Sequence, residues 1–147
     1  MQPLSLLGPL DALGTNVTYL VFGLAIANVG TRLLAHRQHA RQAERSDDAE
    51  ALTRHPLHQA TNVLLLLSAF YMATVAYHGG TVMSMLAMGL VITDFFEFEA
   101  RKVEARKGDP LDRPNGALTA SLLLVGYASY QALYFLIEGL VARIIVV

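Results

Sequence analysis

Five histidines and the carboxylate of Asp94, set at the end of an apolar run, are the residues of this sequence with the most chemistry to offer. His36-x-x-His39 and His55-x-x-His58 each put two imidazoles on one face of a helix. Two such pairs would supply four nitrogens to zinc or copper, with Glu97 as a carboxylate neighbour. Pro56 weakens the second pair, because it disfavours helical geometry at His55 and suits the first turn of a helix starting there. Histidines at a lipid interface also serve as headgroup contacts, so these four residues are candidates and no metal is assigned to them. A membrane haem needs two axial imidazoles at matched depth on facing helices, whereas His58 and His78 lie at opposite ends of one segment.

The carboxylate raises a different possibility. An ionisable group within a membrane is costly, and it marks either a pairing site or an ion or proton path. Whether Asp94 lies at such a depth depends on the segments around it.

With 54% hydrophobic and 16% charged residues, the chain of 147 residues has far fewer charges than a soluble domain, for which about a quarter is usual. Four segments, about 14–35, 57–77, 81–99 and 117–139, approach the roughly 20 apolar residues that cross a hydrocarbon core. The third is the most charged, ending in Asp94, Glu97 and Glu99, and the fourth follows the helix-breaking linker 109–114. Residues 1–12 carry no Lys or Arg, so they lack the basic start of a secretory signal and are expected to stay in the mature protein.

Only 76–81, with His78-Gly79-Gly80, separates the second and third segments, which predicts a tight antiparallel hairpin. Ten of the eleven Lys and Arg residues lie in or beside the first and third connections, and Arg143 alone lies beyond the fourth segment. Positive residues are retained on the cytoplasmic side, so both termini are predicted outside. The fold class is all-α: an antiparallel four-helix transmembrane bundle, in one domain over 1–147. The first and third helices extend into the cytoplasm, the third through Glu97–Arg101 and Glu104–Lys107 pairs.

In lipid, small residues and paired polar groups mark contact faces. Gly23, Ala27 and Gly30 are expected to face the bundle from the first helix. Ser84, Ala87, Val91 and Asp94 do so from the third, and Ser121, Leu124, Ala128, Gln131 and Glu138 from the fourth. Ala69, Ala73 and Ala76 of the second suit contacts with further helices. Counting about 1.5 Å per residue from the cytoplasmic ends places Asn28, Asn62, Asp94 and Ser121 in one polar layer, roughly 6–11 Å deep. Arg32, one turn from Asn28, is predicted to pair with Asp94. Near the outer end Tyr127, Tyr130 and Tyr134 read as interfacial anchors, and Glu138 with His78 as an external polar cluster.

The run from Asp94 to Arg106, DFFEFEARKVEAR, followed by Leu111-Asp112-Arg113-Pro114 and an Ala/Leu-rich last helix, resembles a family of uncharacterised four-helix membrane proteins of halophilic archaea. The likeness is strongest from Asp94 to about Tyr134. It implies an archaeal plasma membrane and no catalytic residue.

No cysteine is present, which excludes disulfides, thiolate metal sites and cysteine-ligated iron–sulfur clusters. A formal net charge of -1 gives no basic face for nucleic acid. No phosphate-binding glycine loop, Ser-His-Asp arrangement or H-E-x-x-H motif occurs. The chain is therefore read as non-enzymatic and without a cofactor: a structural or accessory subunit of a larger membrane complex or homo-oligomer, with lipids, other subunits or its own copies as partners. The alternatives are a small oligomeric ion or proton transporter using Asp94 or Glu138, and an electron-transfer or cofactor-associated membrane subunit.

Overall fold

The computed structural model describes residues 8–45 and 51–146. The expectation for residues 1–12 therefore falls largely outside the described residues, although 8–12 are seen to open a helix. Among the described residues four α-helices follow in order: α1 Gly8–Arg45, α2 Pro56–Val75, α3 Tyr77–Lys107 and α4 Asn115–Ile145.

Local chemistry sets their ends. His55 is extended before Pro56, which occupies the first turn of α2, and the His55 ring accepts the His58 N–H at 3.4 Å. α3 stops at Gly108, whose φ of 73° is the left-handed conformation that glycine adopts without strain. Between α2 and α3 the break is one residue, Ala76. The expected loop at His78-Gly79-Gly80 is instead the first turn of α3, which begins at Tyr77 rather than at 81. Gly80 allows this, because a Cβ there would lie 2.2 Å from the Ala73 nitrogen, so the two backbones touch.

α1 packs on α2, α2 on α3, α3 on α4 and α4 on α1, so the four helices close into a bundle. Val17, Val21, Leu65, Met72, Met83 and Leu124 fill its apolar core. Leu52, Phe98 and Ala105 form a smaller cluster beside the α1 and α3 extensions. The outer surface is apolar too: Leu64, Leu67, Met85, Phe96, Leu122 and Leu123 are all exposed.

Two helices, Ala12–Arg45 and Tyr77–Lys107, are long and apolar enough to cross a membrane. The halves of α4, Asn115–Tyr134 and Leu136–Ile145, meet at 60° and reach that standard only together. α2 falls short of it despite its leucine run, since its first two turns carry His58, Gln59 and Asn62.

Two faces differ from expectation. Gly23, Ala27 and Gly30 point out of the bundle, and α1 turns Val17, Val21, Ala25, Asn28 and Arg32 inward. The polar residues decide the rotation: Asn28 and Arg32 share one side of the helix, opposite the glycines. Ala69 is fully buried in the core and Ala73 meets Gly80 of α3, so both alanines are used within the chain.

Candidate functional site

One turn each of α1, α2, α3 and α4 supplies a buried polar layer. Asn28, Thr31 and Arg32 come from α1, His58, Thr61 and Asn62 from α2, Asp94 from α3 and Ser121 from α4. Arg32 is 1% exposed, which leaves its guanidinium dependent on protein partners. It has three. Nη1 donates to Asp94 Oδ1, Nη2 donates to Asn28 Oδ1 at 2.9 Å, and Nε donates to Ser121 Oγ at 3.2 Å. Ser121 in turn donates to the Ala117 carbonyl at 2.8 Å.

The second carboxylate oxygen of Asp94 is held from α2. Asn62 Nδ2 donates to Oδ2 at 3.0 Å, and His58 Nε2 lies 3.1 Å from the same oxygen. A carboxylate facing Arg32 only accepts, so His58 Nε2 carries the proton. His58 Nδ1 is 2.9 Å from Thr31 Oγ1, which also reaches the Asn28 carbonyl at 3.0 Å and Thr61 Oγ1 at 2.9 Å. Asn28 completes the ring, donating to Asn62 Oδ1 at 2.7 Å and to Thr61 Oγ1 at 3.1 Å. Both N–H groups of the Asn28 amide and its oxygen are thus engaged, and the network joins all four helices.

The structure brings Asn28, Arg32, Asn62, Asp94 and Ser121 together, with Arg32 on Asp94. Sequence reasoning grouped His58 with the metal candidates and so missed it here. The signal was available: His58, Thr61 and Asn62 stand at i, i+3 and i+4, on one face of α2.

Three of the four histidines point to separate partners, and the Nδ1 of the fourth, His36, is buried without a hydrogen-bond partner among the described residues. His58 enters the layer and His55 caps α2. His39, one turn beyond the apolar part of α1, donates from Nε2 to the Thr53 carbonyl at 3.0 Å, accepts from Arg101 Nη1 at 3.2 Å, and packs against the Phe98 ring. These partners fix its neutral tautomer. Burial first, then the positive charge of Arg101, pushes the His39 pKa down to about 4. Among the described residues, no three His, Asp or Glu side chains converge to hold a metal.

His78 and Glu138 are both exposed, and no hydrogen bond or ion pair joins them among the described residues, contrary to the expected external cluster. The reason is axial. The hairpin end at Gly79 lies level with Gln131, whose Oε1 would be 2.7 Å from a Cβ there, and Glu138 stands seven residues further along α4, beyond its 60° bend.

Glu97 and Arg101 approach to 3.9 Å, as an i,i+4 pair. Glu97 also accepts the Ala117 N–H at 3.0 Å and so caps the start of α4 from α3. Glu104 bonds the Asp112 N–H at 3.2 Å, and no ion pair joins it to Lys107 among the described residues. Arg54 lies over the Phe95 and Phe98 rings, 3.6 Å from Glu99. A cavity of about 10 Å³, room for one water, is lined by Arg54, His39 and Arg101 together with Asp94, His58 and Arg32.

A family model described as a domain of unknown function matches residues 2–145, almost the entire chain. The chain belongs to the DUF7313 family. Neither a curated protein nor a solved structure matches it. Membership in DUF7313 therefore brings no reaction with it.

Proposed function

We propose that this DUF7313 protein is a multi-pass protein of the plasma membrane, in an archaeal halophile as its resemblance implies. All four helices cross the bilayer, both termini lie outside, and the α1 and α3 extensions lie in the cytoplasm. In this reading it acts as a structural or accessory subunit, packing against a larger membrane complex or against copies of itself, and carries out no reaction.

The observation that carries the reading is the closure of the polar layer within an apolar exterior. Asp94 takes donors from Arg32, His58 and Asn62, which commits both of its oxygens to fastening helices. The exposed leucines, methionines and phenylalanines of α2, α3 and α4 require lipid or a partner helix around them. Orientation is supported by the cluster of Lys and Arg residues at one end. α2, the least apolar of the four, spans in this reading because His58 and Asn62 turn inward and find partners.

A second reading, a proton or ion path at Asp94, is favoured by the water-sized cavity that touches both Asp94 and His58. Asp94→Asn distinguishes the two. Loss of assembly in native membranes, followed by gel migration and co-purified partners, supports the structural role. Full assembly with loss of a proton or ion flux in vesicles overturns it. Coloured material with the purified protein would instead favour an electron-transfer subunit.

A further inference from the structure

The α1–α2 side of the bundle carries two features that the polar layer does not use. In the apolar part, Leu13, Leu20 and Leu24 of α1 and Leu64, Leu67 and Tyr71 of α2 line an open groove of about 310 Å³. Towards the basic end, Arg37, Arg41 and Arg45 line a second depression of about 400 Å³ with Gln38, Gln42 and His55. The two share a side. Leu20 to Gln38 and Leu24 to Gln42 are each 18 residues, five full turns at 3.6 residues per turn.

The floor of the basic depression is built. Gln42 grips Thr53 twice, donating to its Oγ1 at 2.8 Å and accepting its N–H at 3.0 Å, and Gln38 donates to the Thr53 carbonyl at 3.2 Å. With the glutamines occupied, the three arginines stand exposed, four residues apart. No described acidic residue lines the depression, and Glu44 lines a separate one with Ala40 and Leu111. Guanidinium groups match phosphate in shape and charge. From Leu24 to Arg37 the helix rises about 20 Å, somewhat more than half the roughly 30 Å hydrocarbon core.

We propose that this side of the bundle binds one anionic phospholipid, its phosphate held by Arg37 and Arg41 and an acyl chain laid in the groove between α1 and α2. The site rests on the membrane reading above. It makes the lipid a resident part of the cytoplasmic face rather than bulk solvent.

The test is native mass spectrometry of the full chain in detergent, titrated with phosphatidylglycerol or with phosphatidylcholine of the same acyl chains. Phosphatidylglycerol should be retained at a concentration at least tenfold lower. The double variant Arg37→Gln/Arg41→Gln, both at exposed positions, should lose most of that preference, and Lys107→Gln should keep it. Equal retention of the two lipids, an unchanged preference in the double variant, an equal loss with Lys107→Gln, or displacement of the lipid by inorganic phosphate would each overturn the proposal. Carbonate extraction of membranes separates the two levels: release of the chain as soluble protein defeats the membrane reading. Retention without lipid preference defeats this site alone.

Discussion

His58 Nε2 lies 3.1 Å from Asp94 Oδ2, so a histidine in the first turn of α2 donates a hydrogen bond to a carboxylate near the middle of α3, on the side of Asp94 away from Arg32. The carboxylate is therefore clamped between α1 and α2. This arrangement makes the layer respond to substitutions as a unit.

Removing both charges should cost less than the two single losses combined. Asp94→Asn or Arg32→Gln alone leaves a buried charge without its counterion, at a cost of about 3–5 kcal/mol. In the double variant Arg32→Gln/Asp94→Asn the loss should fall well short of the sum. Unfolding curves of the four proteins in one detergent measure this coupling, and strict additivity would show that the pair does not interact.

The hairpin gives a sharper contrast between adjacent glycines. Gly80→Ala puts a methyl 2.2 Å from the Ala73 backbone and should prevent the α2–α3 contact from closing. Gly79→Ala meets only the flexible end of Gln131, so a rotamer change should absorb it within about 1 kcal/mol. Yield of monodisperse protein and melting temperature report both, and equal behaviour would mean that the backbones do not touch.

Glu97 tests how α4 begins. Glu97→Ala removes the acceptor for the Ala117 N–H and should lower stability by about 1 kcal/mol, the usual worth of a helix-start cap. Glu97→Gln keeps an oxygen in place and should recover part of the loss. Thermal melts of the two variants decide it. Equal damage would assign the effect to the charge beside Arg101.

The His39 contribution has a defined pH window. Its folded pKa of about 4 lies below the usual histidine value of about 6.5, so the unfolded chain takes up the proton first as pH falls. The stability that depends on neutral His39 is complete above about pH 6.5 and is lost progressively down to about 4. Arg101, Thr53 and Phe98 are its neighbours, and protonation would set it against Arg101. The drop in melting temperature between pH 7 and 5 should be larger for the native protein than for His39→Gln. A matching drop in the variant would place the effect elsewhere.

Counting depth from the charged ends grouped Asn28, Asn62, Asp94 and Ser121, because rise per residue is constant along a helix whatever its neighbours. Rotation was harder to read. Gly23, Ala27 and Gly30 form a small-residue stripe as suitable as any, yet Asn28 and Arg32 outweigh it, since a methyl facing outward costs little and a guanidinium costs much. His58 was missed because its spacing to His55 suggested a metal pair before its spacing to Asn62 suggested a polar face. The one-residue break at Ala76 could not be read from turn residues, because Gly80 serves close backbone approach there, not chain reversal. Glu138 and His78 required relative helix offsets, which no single segment encodes.

The separation of Arg32 from Asp94 along the chain has a consequence for biogenesis. They are 62 residues apart, so at about 5–20 residues per second Arg32 leaves the ribosome some 3–12 seconds before the carboxylate that neutralises it. On the membrane reading proposed above, α1 carries an unneutralised guanidinium during that interval, at a cost that Asp94 later removes. On that reading α1 becomes fully stable in lipid only once the α2–α3 hairpin arrives, so the order of synthesis becomes part of how the bundle is assembled.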